Sequence, residues 1–445
     1  MNGSGPPAER AVAAPADLPL DQRARVARLR IALLASACHP DRGSEPGIGW
    51  SWVRSLASLG HDVELFTRAD PESNRRTIEV FAQTCGPARL RLHAVPGRPR
   101  LPHADRLVPA AMREEWRSLQ QYFGWLSTVD ELARTGAMTG MDVVHHVTLG
   151  SLNSGSTLAD LSQPVLFGPV GGGQRCPPEL RSLLGASRYG EFLRDAGWAT
   201  RRLVSPRFRH TMRRADVVLV TNRDTARVAA RHGARRVELM MSDGTWADTL
   251  PATPPVRDLA APLLLWVGAL RPRKAPGLAL RAFRHILDDF PAARLEIVGD
   301  GALRPELERL RSELGLTRRV ELIGHIPHAE VHARYLRAAL LLFTSVRDSL
   351  GGQAVDAWAS GLPTVSFGHQ GVGDFAPPNG SALVPVCAAG QAPRRFAAAV
   401  GSILRDPARY ERSCAAALEH ARRQTLEARA DRATALYAEL LAGRR

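Results

Sequence analysis

Apolar stretches alternate with glycine-rich turns and amphipathic segments along the chain from Arg30 onwards. The first apolar run, RIALLAS, has the length of a strand. It is followed by the loop CHPDRGSEPGIG, by a helix that carries Trp50, Val53 and Leu56, and by a second apolar run, HDVELFT. An unbroken apolar run of this length is typical of a strand that is buried on both faces. The order strand, helix, strand predicts a parallel sheet covered by helices.

The pattern continues as two successive series. In the first, further strands are predicted at RLRLHAV, DVVHHVTL, PVLFGPV, DVVLVTN and RVELMMS, with a mostly helical insertion between residues 96 and 140. The segment DTLPATPPVRDLAAP, residues 248–262, holds four prolines and predicts an interdomain linker. The second series alternates LLLWVGAL, ARLEIVGDG, RVELIGHI, LLLFTSV and PTVSF with helices, and helices follow from Pro393 to the end.

These series predict an α/β chain with two Rossmann-like, doubly wound domains that face a central cleft. A length of 445 residues suits two such domains. We predict a disordered tail at 1–28, a first domain at 29–250, a linker at 251–262 and a second domain at 263–424, with a C-terminal helix at about 425–441 that packs back on the first domain. Ligands of such sheets bind outside the carboxyl ends of the strands.

A formal charge of +15 admits a nucleic-acid or membrane-surface partner, because a basic face attracts polyanions and anionic lipids. The arginines are scattered in pairs with acids between them, and aromatic residues are 6% and unclustered. The charge therefore indicates a solvated surface, and nucleic-acid binding is not expected. We find no strongly amphipathic basic helix in the N-terminal half, so membrane association is not favoured either.

The cysteines and the apolar runs indicate the compartment. Five cysteines, an odd number without a C-x-x-C pair, predict free thiols in a reducing environment. The apolar run at 31–37 is too short to span a bilayer. These features predict a soluble cytoplasmic protein.

The chain contains a single lysine, Lys274, among 59 lysine and arginine residues. It stands in RPRKAPG, just after the predicted strand LLLWVGAL. An ammonium is a compact point charge, whereas a guanidinium is a bulkier planar fork. Retention of lysine at this place indicates a requirement of size or geometry, and survival by drift is the alternative.

Two acids flank a glycine pair in the segment RDSLGGQAVD. Asp348 and Asp356 stand eight positions apart, and Gly351 and Gly352 open the predicted helix between them. The exposed N–H groups at the start of a helix favour phosphate. A plain turn is the alternative for a glycine pair before a helix.

Glycine clusters and a histidine pair mark strand ends in the first half. GSEPGIG and GPVGGGQ each follow a predicted strand, and such loops let the backbone approach a diphosphate or an acceptor closely. A tight turn is the alternative for both. His145 and His146 end the strand DVVHHV, and at most one of them faces the cleft, because neighbours on a strand point to opposite sides.

Taken together, these stretches resemble the retaining glycosyltransferases of family 4, which have the GT-B fold. WVGALRPRKAPGLALRAF, IVGDGALRPELERL, LIGHIPHAEV and FTSVRDSLGGQAVDAWASG resemble the nucleotide-sugar half of that family. HPDRGSEPGIGW, DVVHHVTLGS and FGPVGGGQ are similar to one bacterial branch of it. The resemblance covers about residues 29 to 440.

The resemblance implies a role for each matching residue. Lys274 would bind the donor diphosphate, Asp348 the transferred sugar and Asp356 the ribose, and His146, ahead of His145, would touch the sugar or the acceptor. The implied donor-binding residues are Gly47, Gly49, Arg271, Arg273, Lys274, Ile326, Leu350, Gly351, Gly352, Gln353 and Asp356. Those implied on the acceptor side are Glu45, Gly171 and Gly172.

The sequence departs from the family pattern in two ways. Ala269 replaces the usual arginine after the glycine, so Arg271 or Arg273 would supply the second phosphate contact. We expect Arg271, which is nearer the strand end. Asp348 and Asp356 stand where glutamates are common, so each carboxylate reaches about one methylene less.

The implied function is retaining transfer of a sugar from a UDP- or GDP-sugar, with no metal and no cofactor beyond that donor. The acceptor is expected to be a small molecule of bacterial specialised metabolism, of antibiotic or thiol type. Cell-surface polysaccharide or glycolipid synthesis is an alternative, and a catalytically inactive nucleotide-sugar-binding or scaffold protein is an alternative from another class. The nucleobase and the oligomeric state stay open.

Overall fold

The computed structural model of the chain describes residues 27–86, 89–98, 113–156 and 161–444. Most of the predicted tail at 1–28 and part of the predicted insertion at 96–140 lie outside these residues. The first sheet has seven parallel strands in the order β3-β2-β1-β4-β5-β6-β7. They are β1 (Arg30–Ala35), β2 (Asp62–Arg68), β3 (Leu90–Val95), β4 (Val143–Thr148), β5 (Val165–Val170), β6 (Val217–Val220) and β7 (Val237–Leu239).

The second sheet has six parallel strands in the order β10-β9-β8-β11-β12-β13. They are β8 (Leu263–Val267), β9 (Arg294–Val298), β10 (Val320–Gly324), β11 (Leu340–Phe343), β12 (Thr364–Phe367) and β13 (Ser381–Val384). In both sheets the strand order reverses beside the first strand, and this is the point at which doubly wound sheets bind ligands. The predicted pair of Rossmann-like sheets is confirmed.

Helices connect and cover the strands. They are α1 (Ser44–Ser58), α2 (Pro71–Thr84), α3 (Arg113–Arg134), α4 (Arg188–Val204), α5 (Pro206–Arg214), α6 (Arg223–Arg231), α7 (Pro276–Asp289), α8 (Arg304–Glu313), α9 (His328–Arg337), α10 (Gly352–Ala359), α11 (Gln370–Phe375), α12 (Ala392–Leu404), α13 (Pro407–Arg423) and α14 (Leu426–Ala442). No helix among the residues described is long and apolar enough to cross a bilayer.

The last helix, α14, crosses from the second sheet back to the first. Ala430, Leu436 and Tyr437 belong to the buried cluster that also contains strand β1 and helix α1. Arg429 is buried with them. Its guanidinium stacks on the Trp52 ring at 4.1 Å, and its two terminal nitrogens donate to Ser51 Oγ and to the Ser242 carbonyl oxygen. Helix α14 therefore fastens α1 to the segment that leaves β7, while the predicted domain boundaries stay a prediction.

The predicted loop before α1 is shorter in the structure than expected. Helix α1 begins at Ser44, so Gly47 and Gly49 lie inside the helix and not in a loop. A Cβ atom on Gly47 would come within 2.5 Å of the Arg42 carbonyl oxygen, and one on Gly49 within 2.1 Å of the Ala37 carbonyl oxygen. These glycines let the helix pack against the turn that precedes it. The prediction that Gly47 and Gly49 lie in a loop is wrong, and their contact with the donor stays a prediction.

Candidate active site

The turn after β8 places Lys274 at the carboxyl end of the second sheet. The turn contains a short 3₁₀ segment, Pro272–Lys274, and ends at Ala275 with φ +46°. Buried Thr344 holds this turn, because its hydroxyl accepts the Trp266 indole N–H at 2.9 Å and lies 3.0 Å from the carbonyl oxygens of Lys274 and Ala275. The Lys274 side chain is consequently fixed in place and only 5% of the residue is exposed.

The Lys274 amine donates to the Asp348 carboxylate and, at 3.1 Å, to Gln353 Oε1. It also lies 5.3 Å from the centre of the Phe343 ring. Burial lowers the pKa of Lys274, and the Asp348 charge opposes that effect. Burial alone would raise the pKa of Asp348, but the charges of Lys274 and Arg273 outweigh it, and the pKa is lowered. The two groups form a buried ion pair.

The arginine beside this pair is Arg273. Its Nη1 lies 3.7 Å from Asp348 Oδ1 and donates to the Arg347 carbonyl oxygen at 3.4 Å. Arg271, at the start of the 3₁₀ segment, is exposed. The 3₁₀ turn carries Arg273, and not Arg271, towards the acid, while the expected contact of Arg271 with the donor phosphate stays a prediction.

Helix α10 begins directly after the Asp348 loop. Gly351 has φ +89°, and a Cβ atom there would lie 2.6 Å from Val372 and 2.7 Å from Phe343, so only glycine fits. No side chain caps this helix start, and Leu350 before it is buried in the core. The first N–H groups of α10, at Gly352 and Gln353, are therefore available to an anion.

The Asp348 loop also touches the first domain. Arg347 forms a two-pronged ion pair with Glu191 of α4, at 2.7 and 2.8 Å. Ser349 lies 2.7 Å from the Thr221 hydroxyl, and its carbonyl oxygen accepts from Asn222 at 2.9 Å. The fork geometry and low exposure of the Arg347 pair make it stronger than an ordinary surface ion pair.

Two further contacts complete this interdomain junction. The Gln370 side chain accepts the Asp348 backbone N–H at 2.6 Å and donates to the Arg175 carbonyl oxygen at 2.7 Å. A Cβ atom on Gly171 would lie 1.9 Å from Ser349 Oγ, so this glycine permits the close approach. Gly171, which we expected on the acceptor side, thus lies against the Asp348 loop.

A second acid pair lies at the other side of the α10 start. Burial and the nearby Asp243 raise the pKa of Asp356 to about 8. Burial also raises the pKa of Asp243, which follows β7, and Asp243 Oδ2 lies 3.0 Å from where a Gly352 Cβ would be. Two carboxyl groups that disfavour each other's charge can share a proton at neutral pH.

The acid pair predicts a pH dependence of nucleotide binding. If Asp356 accepts hydrogen bonds from the two ribose hydroxyls, nucleotide binding favours the charged carboxylate. Below pH 8, binding then releases the proton that Asp356 holds in the free protein. We expect affinity for UDP or GDP to rise with pH, by up to about tenfold per unit below pH 8 and less above it. Calorimetric titrations across this range check the slope. Asp356→Asn serves as control for titration of the nucleotide itself, and equal slopes in both proteins would contradict the assignment.

The histidine pair of β4 is fully buried. His145 uses both ring nitrogens in the interior, with Tyr437 OH at 2.6 Å and the Gly168 carbonyl oxygen at 2.8 Å. His146 Nε2 donates to the Thr148 carbonyl oxygen at 2.8 Å, and its Nδ1 has no hydrogen-bond partner. Burial lowers the pKa of His145 to about 3 and that of His146 to about 4, so both are neutral at pH 7.

These bonds bear on the expectation that at most one histidine faces the cleft. Neither ring has exposed surface, and the expected contact of His146 with the sugar or the acceptor stays a prediction. An imidazole with both nitrogens bonded to interior groups cannot contact a substrate, and we interpret His145 as structural. A role for His146 stays a prediction, because its Nδ1 could accept a hydrogen bond.

Polar groups gather near His146 at the strand ends of the first sheet. Glu45 Oε1 accepts the Gly150 N–H at 3.0 Å, while its Oε2 is buried without a partner. Burial raises the pKa of Glu45, and burial raises that of Tyr122 to about 12. Tyr122 OH lies 3.5 Å from His146 Nε2. This group is the acceptor-side candidate, with Glu45 as its acid.

The glycine loop after β5 is held from α4. Gly172 has φ +106°, its N–H donates to Gln174 Oε1 at 2.7 Å, and its carbonyl oxygen accepts from Asn153 and Arg202. Burial lowers the pKa of Arg202 to about 10. The loop at Gly172 is thus a turn that hydrogen bonds hold in one conformation, and its acceptor role stays a prediction.

Ile326, which the resemblance implies on the donor side, stands two residues before His328, and His328 lies near the acid pair. Ile326 is partly buried between β10 and α9, and the neighbouring His328 lies close enough to Asp243 to lower that acid's pKa in part. Its role as a base contact stays a prediction.

Sequence reasoning missed several residues of the site. These are Glu191, Arg347, Gln370, Asn222 and Asp243. Asn222 and Asp243 follow the ends of β6 and β7, so their position at strand ends was a usable signal. Glu191 and Arg347 contact each other across 156 positions of the chain. Gln370 contacts the Asp348 N–H from the start of α11, a helix that no local motif marks.

Comparison with known families bears on the second half of the chain. Residues 255–422 match the glycosyl transferases group 1 family. This group 1 segment contains β8 to β13 and every donor-side residue that surrounds Lys274. The sequence motifs of the first half lie outside the matched segment.

Curated relatives extend the comparison. Over 207 residues the chain is 29% identical to a 2-deoxystreptamine glucosyltransferase of Streptomyces kanamyceticus, covering 44% of this chain and 53% of that protein. Over 439 residues it is 28% identical to a D-inositol 3-phosphate glycosyltransferase of Streptomyces griseus, covering 88% and 85%. The chain spans about half the length of the first curated relatives that it matches.

Solved structures show the same fold. An Anabaena protein, Alr3699/HepE, crystallised with UDP and glucose, superposes with a TM-score of 0.56 at 14% identity, over 93% of this chain and 100% of that one. The fold is GT-B, with two Rossmann-like domains, as the sequence predicted.

Proposed function

We propose that the protein is a retaining glycosyltransferase that takes a sugar from a nucleoside-diphosphate sugar. One observation carries the proposal: within the group 1 segment, a buried lysine amine, an aspartate and an uncapped helix start converge at the carboxyl ends of β8 and β11. A cation beside free backbone N–H groups suits a diphosphate leaving group. The UDP and glucose bound by the Anabaena structure support the donor class.

The residues suggest how each part of the reaction is assisted. The bond from the sugar's anomeric carbon to the diphosphate oxygen breaks, and the electron pair moves onto that oxygen beside Lys274, Arg273 and the start of α10. The acceptor oxygen bonds to the same face of that carbon, and its proton passes to the leaving phosphate. Asp348 positions the sugar hydroxyls, and no protein nucleophile and no metal ion takes part in this scheme.

The interdomain junction would exclude water from this reaction. Arg347 with Glu191, and Ser349 with Thr221, join the two domains at the residues that flank Asp348. Closure at this place protects an oxocarbenium-like sugar from hydrolysis.

Two classes of acceptor have support. The 2-deoxystreptamine glucosyltransferase among the relatives supports a small molecule of specialised metabolism. A glycolipid or surface-polysaccharide acceptor is the second candidate. It is favoured by exposed apolar side chains on α4, at Tyr189, Phe192 and Leu193.

A donor screen tests the proposal. We expect UDP or GDP at about a hundredfold excess over its dissociation constant to raise the melting temperature by roughly 5 °C or more, since it stabilises the native state by about 2.7 kcal/mol. The matching nucleotide sugar should then release its diphosphate when an acceptor is added. Binding without any release would favour the inactive binding protein, and no stabilisation by either nucleotide would contradict the proposal.

A further inference from the structure

Helix α4 carries an exposed apolar face. Tyr189, Phe192, Leu193, Leu203 and Val204 are each between 65% and 68% exposed. They are five of the nine large hydrophobic side chains that the described residues expose. An apolar patch of this kind on one helix marks an interaction surface, whereas single exposed apolar residues do not.

Helix α4 is amphipathic, but it exposes its apolar face and turns its charged face to the protein. Its apolar positions recur at the three- and four-residue spacing of one helical face, and its charged positions lie on the other face. The charged face is the one that meets the protein, through Glu191 to Arg347, Arg201 to the Asn153 carbonyl oxygen, and Arg202 to Gly172. A helix that only packs on the core buries its apolar face. The exposed apolar face of α4 therefore indicates an external contact.

Exposed positive charge lies on α4 and on the helix that follows it. Of the eight arginines in residues 188–214, Arg201 and Arg202 contact the protein, and those that are exposed are Arg188, Arg209, Arg213 and Arg214. The exposed side of α5 forms a shallow groove of about 410 Å³ lined by Pro206, Arg209, His210, Arg213 and Arg214. The surface therefore combines apolar side chains with a basic rim.

Charge complementarity selects the occupant of this surface. A second copy of the chain would bring two basic rims together if the contact were two-fold symmetric, and like charges oppose such a contact. A nucleic acid would pair with the arginines but would leave the apolar side chains without a partner. An anionic bilayer satisfies both, because apolar side chains enter the headgroup boundary while arginines contact the lipid phosphates.

We propose that the apolar face of α4 and the basic face of α5 form a docking surface for anionic membranes. This inference does not rest on the proposed function, since lipid binding requires neither donor nor acceptor. The buried side of α4 contacts Arg347, beside Asp348, and the Gly172 loop, so docking would place the cleft near the lipid surface. An acceptor carried by a lipid would then reach the site without leaving the bilayer.

Vesicle binding by the full chain tests the proposal. We expect the protein to float with phosphatidylcholine vesicles containing about one third phosphatidylglycerol and to bind pure phosphatidylcholine more weakly. The variant Phe192→Glu/Leu193→Glu should lower the partition coefficient about a hundredfold, because it removes two apolar anchors and adds repulsion. Arg209→Ala/Arg213→Ala should lower it about tenfold or more, with a weaker dependence on salt.

A matched control separates the surface from a general loss of apolar side chains. Ile78→Glu, on α2, changes another exposed apolar residue, which is 51% exposed, and should bind vesicles within about twofold of the wild type. All variants should keep the wild-type melting temperature. The proposal fails if the wild type does not bind anionic vesicles, or if Ile78→Glu weakens binding as much as the α4 variant. It also fails if the wild type is a dimer that binds no lipid and the α4 variant only dissociates that dimer.

Discussion

Replacing Lys274 by alanine is expected to lower kcat for sugar transfer about 100- to 1,000-fold. The substitution removes a buried cation from the place where, in the proposed reaction, charge develops on the leaving diphosphate. Because this contact strengthens as the bond breaks, kcat should fall more than KM rises. Nucleoside-diphosphate release at saturating donor, with and without acceptor, measures the effect.

Two further substitutions make the result specific. Arg271→Ala changes an exposed residue of the same turn and should alter kcat by no more than about threefold. Lys274→Arg retains the charge but not the compact shape, and it should lose at least about tenfold, since a planar fork does not fit a site built around a point charge. Equal activity of the wild type and Lys274→Ala would remove lysine from the mechanism.

Replacing Asp348 by asparagine should lower both activity and stability. The sugar loses a charged hydrogen-bond acceptor, and Lys274 loses its ion-pair partner, so we expect kcat to fall about 100-fold or more. The uncompensated buried amine should cost about 3 kcal/mol, or roughly 6–12 °C in melting temperature for a domain of this size. Calorimetry and steady-state kinetics measure the two effects on the same sample.

A double variant separates the two effects. Lys274→Met combined with Asp348→Asn leaves no unpaired charge, so it should regain most of the lost melting temperature and none of the activity. If activity returned together with stability, the aspartate and lysine would be packing residues only. A double variant as unstable as Asp348→Asn alone would mean that the buried charge is not the cause of the destabilisation.

The fold could be predicted because buried parallel strands are continuous apolar runs. RIALLAS and LLLWVGAL each contain the first strand of a sheet, and the proline-rich segment between residues 248 and 262 separates the two series. The start of α1 could not be predicted, because Pro46 and the glycines of this segment have low helix propensity. Close packing against the Ala37 and Arg42 carbonyl oxygens overrides that propensity.

The site could be predicted only where its residues belong to motifs at neighbouring strand ends. Lys274, Asp348 and Gln353 come together because two strand ends of one sheet are adjacent. The choice between Arg271 and Arg273 depended on a 3₁₀ turn that the letters RPRKAPG do not specify. The Arg347 contact with Glu191 joins residues 156 positions apart, which one sequence cannot reveal.

Helix α4 shows a further limit of pattern reading. Periodicity predicts that a helix has an apolar face, and the usual inference places that face in the core. In α4 the charged face is inside, because Glu191, Arg201 and Arg202 find partners on the Asp348 loop and the glycine loop. The expectation of no strongly amphipathic basic helix in the first half is therefore wrong.

The most direct test of the central claim compares nucleotides by calorimetry. Because we propose that the Lys274 amine binds the diphosphate of the leaving group, the wild type should bind UDP or GDP at least about tenfold more tightly than the matching monophosphate. In Lys274→Ala this difference should fall to about twofold or less, while monophosphate affinity changes little. A tenfold preference for the diphosphate that survived in Lys274→Ala would contradict the account.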